Sequence, residues 1–140
     1  MLAHISRLLD QRRSVLLQPY LDRVDEQGET ALIYFEGRYS HAIRKGPLLQ
    51  RGSEPTRALF APEIITPRTA GPEELALGER SLAALPFDRP LYARVDLIRA
   101  ADGSPCVLEL ELAEPSLFFA YSAGSAARFA GAIERRLAIS

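Results

Sequence analysis

Alternation of apolar and polar residues marks two stretches of this chain as β-hairpins, and helical spacing marks three others. Residues 30–36 and 38–44 form the arms of the first hairpin, with Glu36-Gly37 as its turn. That turn pairs Phe35 with Arg38, Ile33 with Ser40 and Glu29 with Arg44. The second hairpin lies within residues 92–119 and turns at Asp102-Gly103, a strong two-residue turn signal. Helical spacing places Leu2, Ile5, Leu8 and Leu9 on one stripe of a helix over residues 1–13. A second helix starts near Pro72 with Glu73 and Glu74 in its first turn, turns Leu75, Leu82 and Leu85 to the core, and stops at Pro86. A third covers residues 122–137, with Ala126, Phe129, Ala130, Ile133 and Leu137 as its buried face. Residues 14–17 are a short apolar run, and Gln18-Pro19-Tyr20-Leu21 reads as a connector at a sheet edge. The expected fold class is α+β, antiparallel hairpins packed against helices on one side.

The second hairpin concentrates charge. Counting back from its turn, Asp96 faces Glu109 and Arg94 faces Glu111. Side chains alternate along a strand, so these four share one face, while Val95, Leu97, Leu108, Leu110 and Leu112 share the other. Pro105, close to the turn, is a place where a bulge would alter this register. Like charges facing each other destabilise a ladder unless something neutralises them. A divalent cation with oxygen ligands would do so, and Mg²⁺ suits carboxylates that work together with substrate phosphates. The competing reading is an ordinary Arg94–Glu111 ion pair with Asp96 and Glu109 solvated, and pattern alone leaves both open.

Residues 48–69 are broken by Gly52, Ser53, Pro55, Pro62 and Pro67, with Phe60 and Ile64-Ile65 as an anchor or short strand. A connection of that length is either a flap over a site or an unstructured loop. His41 sits among apolar residues and reads as a packing residue, and His4 in the first helix gives still less reason to expect catalysis. The net charge of −1 gives no electrostatic footprint for nucleic acid or an anionic membrane, so neither is an expected partner. No apolar run is long enough to span a membrane. Cys106 is the only cysteine, which excludes an intrachain disulfide, reads as a small buried hydrophobe, and fits a cytoplasmic location.

The runs QPYL, GET, SHAIRK, YARVD and ELELAEPSLF, in this order, resemble the ATP-grasp superfamily of ligases, which includes the D-alanine–D-alanine ligases, glutathione synthetases and RimK-like ligases. YARVD followed by ELELAEP is the specific part; QPYL and GET gain weight from their order. The resemblance implies ATP and Mg²⁺ as cofactors, with Mn²⁺ as a substitute, and small-molecule carboxylate and amine substrates. It implies that Asp96, Glu109 and Glu111 hold the metal, Glu111 standing where many relatives carry asparagine. Arg94 would stabilise charge on acyl-phosphate and tetrahedral intermediates. Gln18 and the backbone near Tyr20 and Leu21 would bind adenine, and Glu29 the ribose hydroxyls. Arg44 and Lys45 would lie near the phosphates or second substrate, although the hairpin register puts Glu29 and Lys45 on opposite faces.

The resemblance covers roughly residues 16–137 and implies that residues 1–140 form the C-terminal, metal-binding part of an ATP-grasp domain. The family's earlier subdomain, with its two phosphate-binding lysines and glycine-rich flap, and its N-terminal domain are expected to be absent from this chain. Two functional expectations follow. One is part of an ATP-dependent carboxylate–amine or thiol-type ligase working through an acyl phosphate. The other is an inactive remnant that acts as a binding module or self-associates, for instance as a homodimer, through exposed apolar surface and strand edges.

Overall fold

The computed structural model describes residues 2–47 and 63–139. Among these, the elements in chain order are α1 (Leu2–Asp10), α2 (Val24–Gln27), β1 (Glu29–Phe35), β2 (Arg38–Lys45), β3 (Ile65–Arg68), α3 (Pro72–Ala83), β4 (Tyr92–Arg99), β5 (Pro105–Glu111), a 3₁₀ turn (Phe119–Tyr121) and α4 (Ser125–Ile139). The strands form one antiparallel sheet in the order β3-β2-β1-β4-β5. Ile64-Ile65 opens β3 or adjoins it, whereas Phe60 and any flap around it lie outside the described residues. Residues 14–17 form no strand, and Leu16 and Leu17 are exposed.

The helices pack on both faces of the sheet, not on one. Leu32, Tyr34, Ala42, Ala93, Val95 and Leu97 form the back core with Leu75, Leu77 and Leu82 of α3. Full burial of each such Leu or Val contributes roughly 1.5–3 kcal/mol. Gly78 lets α3 approach closely, since a Cβ there would stand 2.2 Å from Tyr34 Oη. A buried Glu74 fastens the same helix: it accepts from Thr30 Oγ1 at 2.9 Å and pairs with Arg68 at 2.9 Å and Arg99 at 3.2 Å. Its other oxygen accepts from the Gly71 N–H, completing the helix start that the sequence placed at Pro72.

On the front face, Ala31, Ile33, Phe35 and Ile43 pack with Ala132, Phe129, Leu117, Phe118 and Tyr121 from α4 and the segment before it. The buried line of α4 is Ser125, Phe129 and Ala132; Ile133 and Leu137 point outward, with Leu137 70% exposed. A small side chain at Ala132 brings the helix close to the sheet, which rotates the apolar stripe expected from periodicity away from it. Arg135 and Arg136 reach Glu36 and the Arg89 carbonyl, so they tie the helix to the β1–β2 turn. None of the residues of α1 is buried.

Two bulges set the registers. In the first hairpin the register shifts between Ile33 and Tyr34, leaving Ser40 as the extra residue on β2. Ile33 therefore faces His41, Thr30 faces Arg44 and Glu29 faces Lys45, correcting the straight register by one residue. In the second, Ala101-Asp102-Gly103 make a three-residue loop closed by Ala100 N–H to Ser104 O, with Gly103 at φ +88°. A shift between Asp96 and Leu97 then restores the expected pairs Asp96–Glu109 and Arg94–Glu111. Leu108 is the residue displaced; it is 43% exposed and not part of the back core.

Candidate functional site

The front of the sheet carries charge where α4 does not cover it. Asp96, at the centre of β4, has a carboxylate almost wholly removed from solvent. Arg94 Nε lies 2.9 Å from Asp96 Oδ1, and its Nη2 donates to Asp96 Oδ2 at 2.9 Å and also to Glu111. Lys45 donates to Asp96 Oδ2 at 2.7 Å and pairs with Glu29 at 3.1 Å. The β2 bulge is what makes this contact possible. With Glu29 opposite Lys45 the two share the front face, and Ala31 between the strands leaves room for the lysine to cross β1.

Arg44 goes the other way. Its Nε and Nη2 donate to the Gln27 and Glu26 carbonyls at 2.7 and 3.0 Å, capping the end of α2, so it takes no part in the cluster and is not Glu29's partner. Gly28 supports the turn from α2 into β1. Its φ is +68°, and a Cβ there would stand 2.2 Å from the Lys45 carbonyl oxygen.

Burial, the largest single influence, works against the charges on Lys45 and Arg94, but the surrounding carboxylates together outweigh it in both. The Asp96 hydrogen bond and charge, with Glu29 behind, hold the Lys45 pKa above its ordinary value. Asp96, Glu111 and Glu109 do the same for Arg94. Four carboxylates thus face two fixed cations. Ligand oxygens of Asp96, Glu109 and Glu111 all lie within 4.8 Å of one another. The donor set is oxygen alone, graded from buried Asp96 to exposed Glu109, and it carries uncompensated negative charge. Those properties fit a hard divalent cation such as Mg²⁺.

Beside the cluster lies an open cleft of about 370 Å³. Gln18, Pro19, Tyr20 and Leu21 form one wall, and Ile98, Cys106, Val107 and Leu108 the other. Glu29 lines the cleft and belongs to the charged cluster as well, so it joins the two. The connector wall is held by Tyr20, which donates to Asp25, and by Arg23, whose Nη2 donates to the Ala101 carbonyl at 2.8 Å. Cys106 is half-buried on the cleft floor, opposite Ile98, instead of in the core. Apart from Arg44, the site residues expected from the family resemblance fall in two adjoining places: Arg94, Asp96, Glu109, Glu111 and Lys45 in the charged cluster, Gln18, Tyr20 and Leu21 in the cleft, and Glu29 in both. Sequence reasoning missed Val107 and Leu108 as cleft residues, and the straight register had put Leu108 on the apolar core face.

His41 closes the front face at the side opposite Glu111. Burial lowers its pKa, the Leu117 carbonyl opposes this, and Arg128 adds to it. Its role is packing and hydrogen bonding, as its apolar surroundings suggested.

The fold is that of the ATP-grasp ligases, and the chain is related to them. It is 45% identical over 141 residues to the cycloserine biosynthesis protein DcsG of Streptomyces lavendulae, covering 96% of this chain and 46% of that protein. The crystal structure of the D-cycloserine synthetase DcsG superposes with a TM-score of 0.80 at 42% identity, over 96% of this chain and 46% of that one. A D-alanine–D-alanine ligase from Bacillus anthracis shares the fold, with a TM-score of 0.56 at 18% identity, over 99% of this chain and 47% of that one. The chain thus spans about half the length of the relatives it matches. No family model matches it.

Proposed function

We propose that this chain is the metal- and nucleotide-binding part of an ATP- and Mg²⁺-dependent ligase that joins a small-molecule carboxylate to an amine or related nucleophile through an acyl phosphate. One observation carries the reading: three carboxylates converge within 4.8 Å beside a cleft, with Glu29 common to both. A plain ion-pair network would need cations to match its acids, and here the acids are in excess.

In this reading Asp96, Glu109 and Glu111 hold Mg²⁺, which when bound neutralises phosphate charge. The apolar cleft takes the adenine ring, contacted by Gln18, Tyr20 and Leu21, and Glu29 accepts from ribose hydroxyls. Lys45 and Arg94, held now by Asp96 and Glu111, are the two cations available to phosphate and to a developing oxyanion. The chain's contribution is then orientation and charge neutralisation, with proton transfer secondary.

Calorimetric titration of the chain with Mg²⁺ or Mn²⁺, before and after Glu109→Gln, tests the metal assignment. The variant is expected to bind at least about tenfold more weakly, the size of effect seen when the support of a metal site is altered. Equal affinities would return the acidic face to a structural network. Titration with ATP and Mg²⁺ is expected to give weak binding without turnover by this chain alone.

One observation favours a second reading, a module that binds or self-associates. α1 buries none of its residues, and Leu2 and Leu9 are 78% and 56% exposed. Sedimentation at several protein concentrations decides it: a strictly monomeric chain removes the self-associating form.

A further inference from the structure

Arg94 is gripped from the sheet side by Asp96 and Glu111, and something else stands on its outer side. The Phe118 ring centroid lies 5.8 Å from the Arg94 guanidinium carbon, and Tyr121 meets Phe118 edge-on at 6.2 Å. Phe118 adopts φ +50°, a left-handed conformation that a bulky residue keeps only where its surroundings impose it.

A neighbouring contact comes from the other end of the same face, on β2. His41, Ile33, Arg94 and Glu111 form one row across β2, β1, β4 and β5. The segment after β5 returns over this row. There His41 Nε2 meets the Leu117 carbonyl at 3.0 Å, one residue before Phe118. Ser40 Oγ lies 2.9 Å from His41 Nδ1, and Arg128 Nε donates to Ser40 Oγ at 3.0 Å. A guanidinium only donates, so Ser40 accepts from Arg128 and turns its own hydrogen to Nδ1. The proton of the imidazole then sits on Nε2, aimed at the carbonyl. The donors run in one direction from α4 to the backbone of the returning segment.

We propose that Phe118 is a positioning residue for Arg94, fixing the guanidinium plane by cation–π contact, and that His41 holds Phe118 in place through Leu117. The bulge at Ser40 has a second use here, because it turns His41 as well as Lys45 to the front. When the carboxylates are engaged elsewhere, the ring keeps the guanidinium directed at the open end of the site. The part Arg94 plays in a reaction is taken from the ligase reading above; the stack itself is independent of it.

NMR of the ¹⁵N-labelled full chain, without nucleotide or metal, tests the stack separately from that reading. In the wild type, Phe118 ring protons are expected to give NOEs to the Arg94 side chain, and the ring to shift the Arg94 Nε–H signal. Phe118→Leu is expected to abolish that shift, Phe118→Tyr to keep it, and His41→Phe, which cannot donate to Leu117, to lose it. An unchanged Arg94 Nε–H signal in Phe118→Leu, with β1 and β4 amides at their wild-type positions, overturns the proposal. So does an unchanged signal in His41→Phe. Should the variants disturb the sheet amides, the wild-type NOE decides alone, and its absence overturns the proposal.

Discussion

Lys45 Nζ sits 2.7 Å from Asp96 Oδ2 although β1 lies between their strands. The contact pairs a lysine that the cation-binding reading assigns to phosphate with an acid that it assigns to metal. In that reading metal and lysine compete for one carboxylate. Lys45→Met is expected to raise Mg²⁺ and Mn²⁺ affinity, by roughly tenfold given the Coulomb energies of nearby partly buried charges. The same change should weaken ATP binding in the presence of Mg²⁺. Titration calorimetry reads both, and a fall in metal affinity would mean that Lys45 supports the ligand set instead of competing with it.

Gly28 carries the chain from α2 into β1 at φ +68°, against the Lys45 carbonyl. Gly28→Ala introduces both a strained backbone and a 2.2 Å contact with that oxygen. Urea unfolding is expected to show a loss of about 1–3 kcal/mol. Because the displaced backbone is that of Lys45, nucleotide affinity should drop with stability; a stable variant would show that the end of the hairpin opens freely.

Glu74 lies on the back of the sheet, away from the acidic cluster. Burial would raise its pKa, but the Gly71 N–H, the Thr30 hydroxyl, Arg68 and Arg99 together hold it below the ordinary 4.5. A folded-state value below the unfolded one means stability that is complete above about pH 4.5 and lost as pH falls through the depressed value. Glu74→Gln should cost roughly 3–5 kcal/mol at neutral pH, as when one partner of a buried ion pair is removed. The difference from wild type should shrink in acid. Denaturant unfolding across the acid range checks this, and a gap independent of pH would refute it.

Cys106 lines the cleft but not the metal cluster. Cys106→Phe fills space that the proposed adenine ring needs, so ADP affinity should fall by about tenfold, in the range of overpacking costs. Mn²⁺ affinity should stay within about twofold, as expected for separate sites. Parallel losses in both would show that cleft and cluster are not independent.

The charged face was legible because alternation fixes which side chains share it, and Arg94, Asp96, Glu109 and Glu111 meet in the pairs counted from Asp102-Gly103. They do so by a different path: the extra loop residue and the bulge cancel. Lys45 came from the family resemblance; its place on the front face was not legible in the pattern, since nothing in a Tyr39-Ser40-His41 run announces a bulge. The distortion is supported by tertiary hydrogen bonds, Arg128 to Ser40 among them, which local patterning does not contain. The same limit applies to α4. Apolar spacing points to the stripe through Ile133 and Leu137, whereas contact with the sheet selects the one through Ala132. The cleft wall at Gln18, Tyr20 and Leu21 came from the family resemblance, as no periodicity marks a connector.

The bulge at Leu108 divides β5 into two segments that answer to different neighbours. Beyond it, Glu109 and Glu111 are registered by Asp96 and Arg94; before it, Cys106 and Val107 are registered by Ile98 and Leu97. A tight two-residue turn without the bulge would leave the acids where they are and exchange which side of the sheet Cys106 and Val107 occupy. Insertions or deletions that are absorbed at Leu108 can therefore reshape the cleft floor while the acids stay in register. Within one strand, the part that shapes the cleft is free to diverge from the part that holds charge.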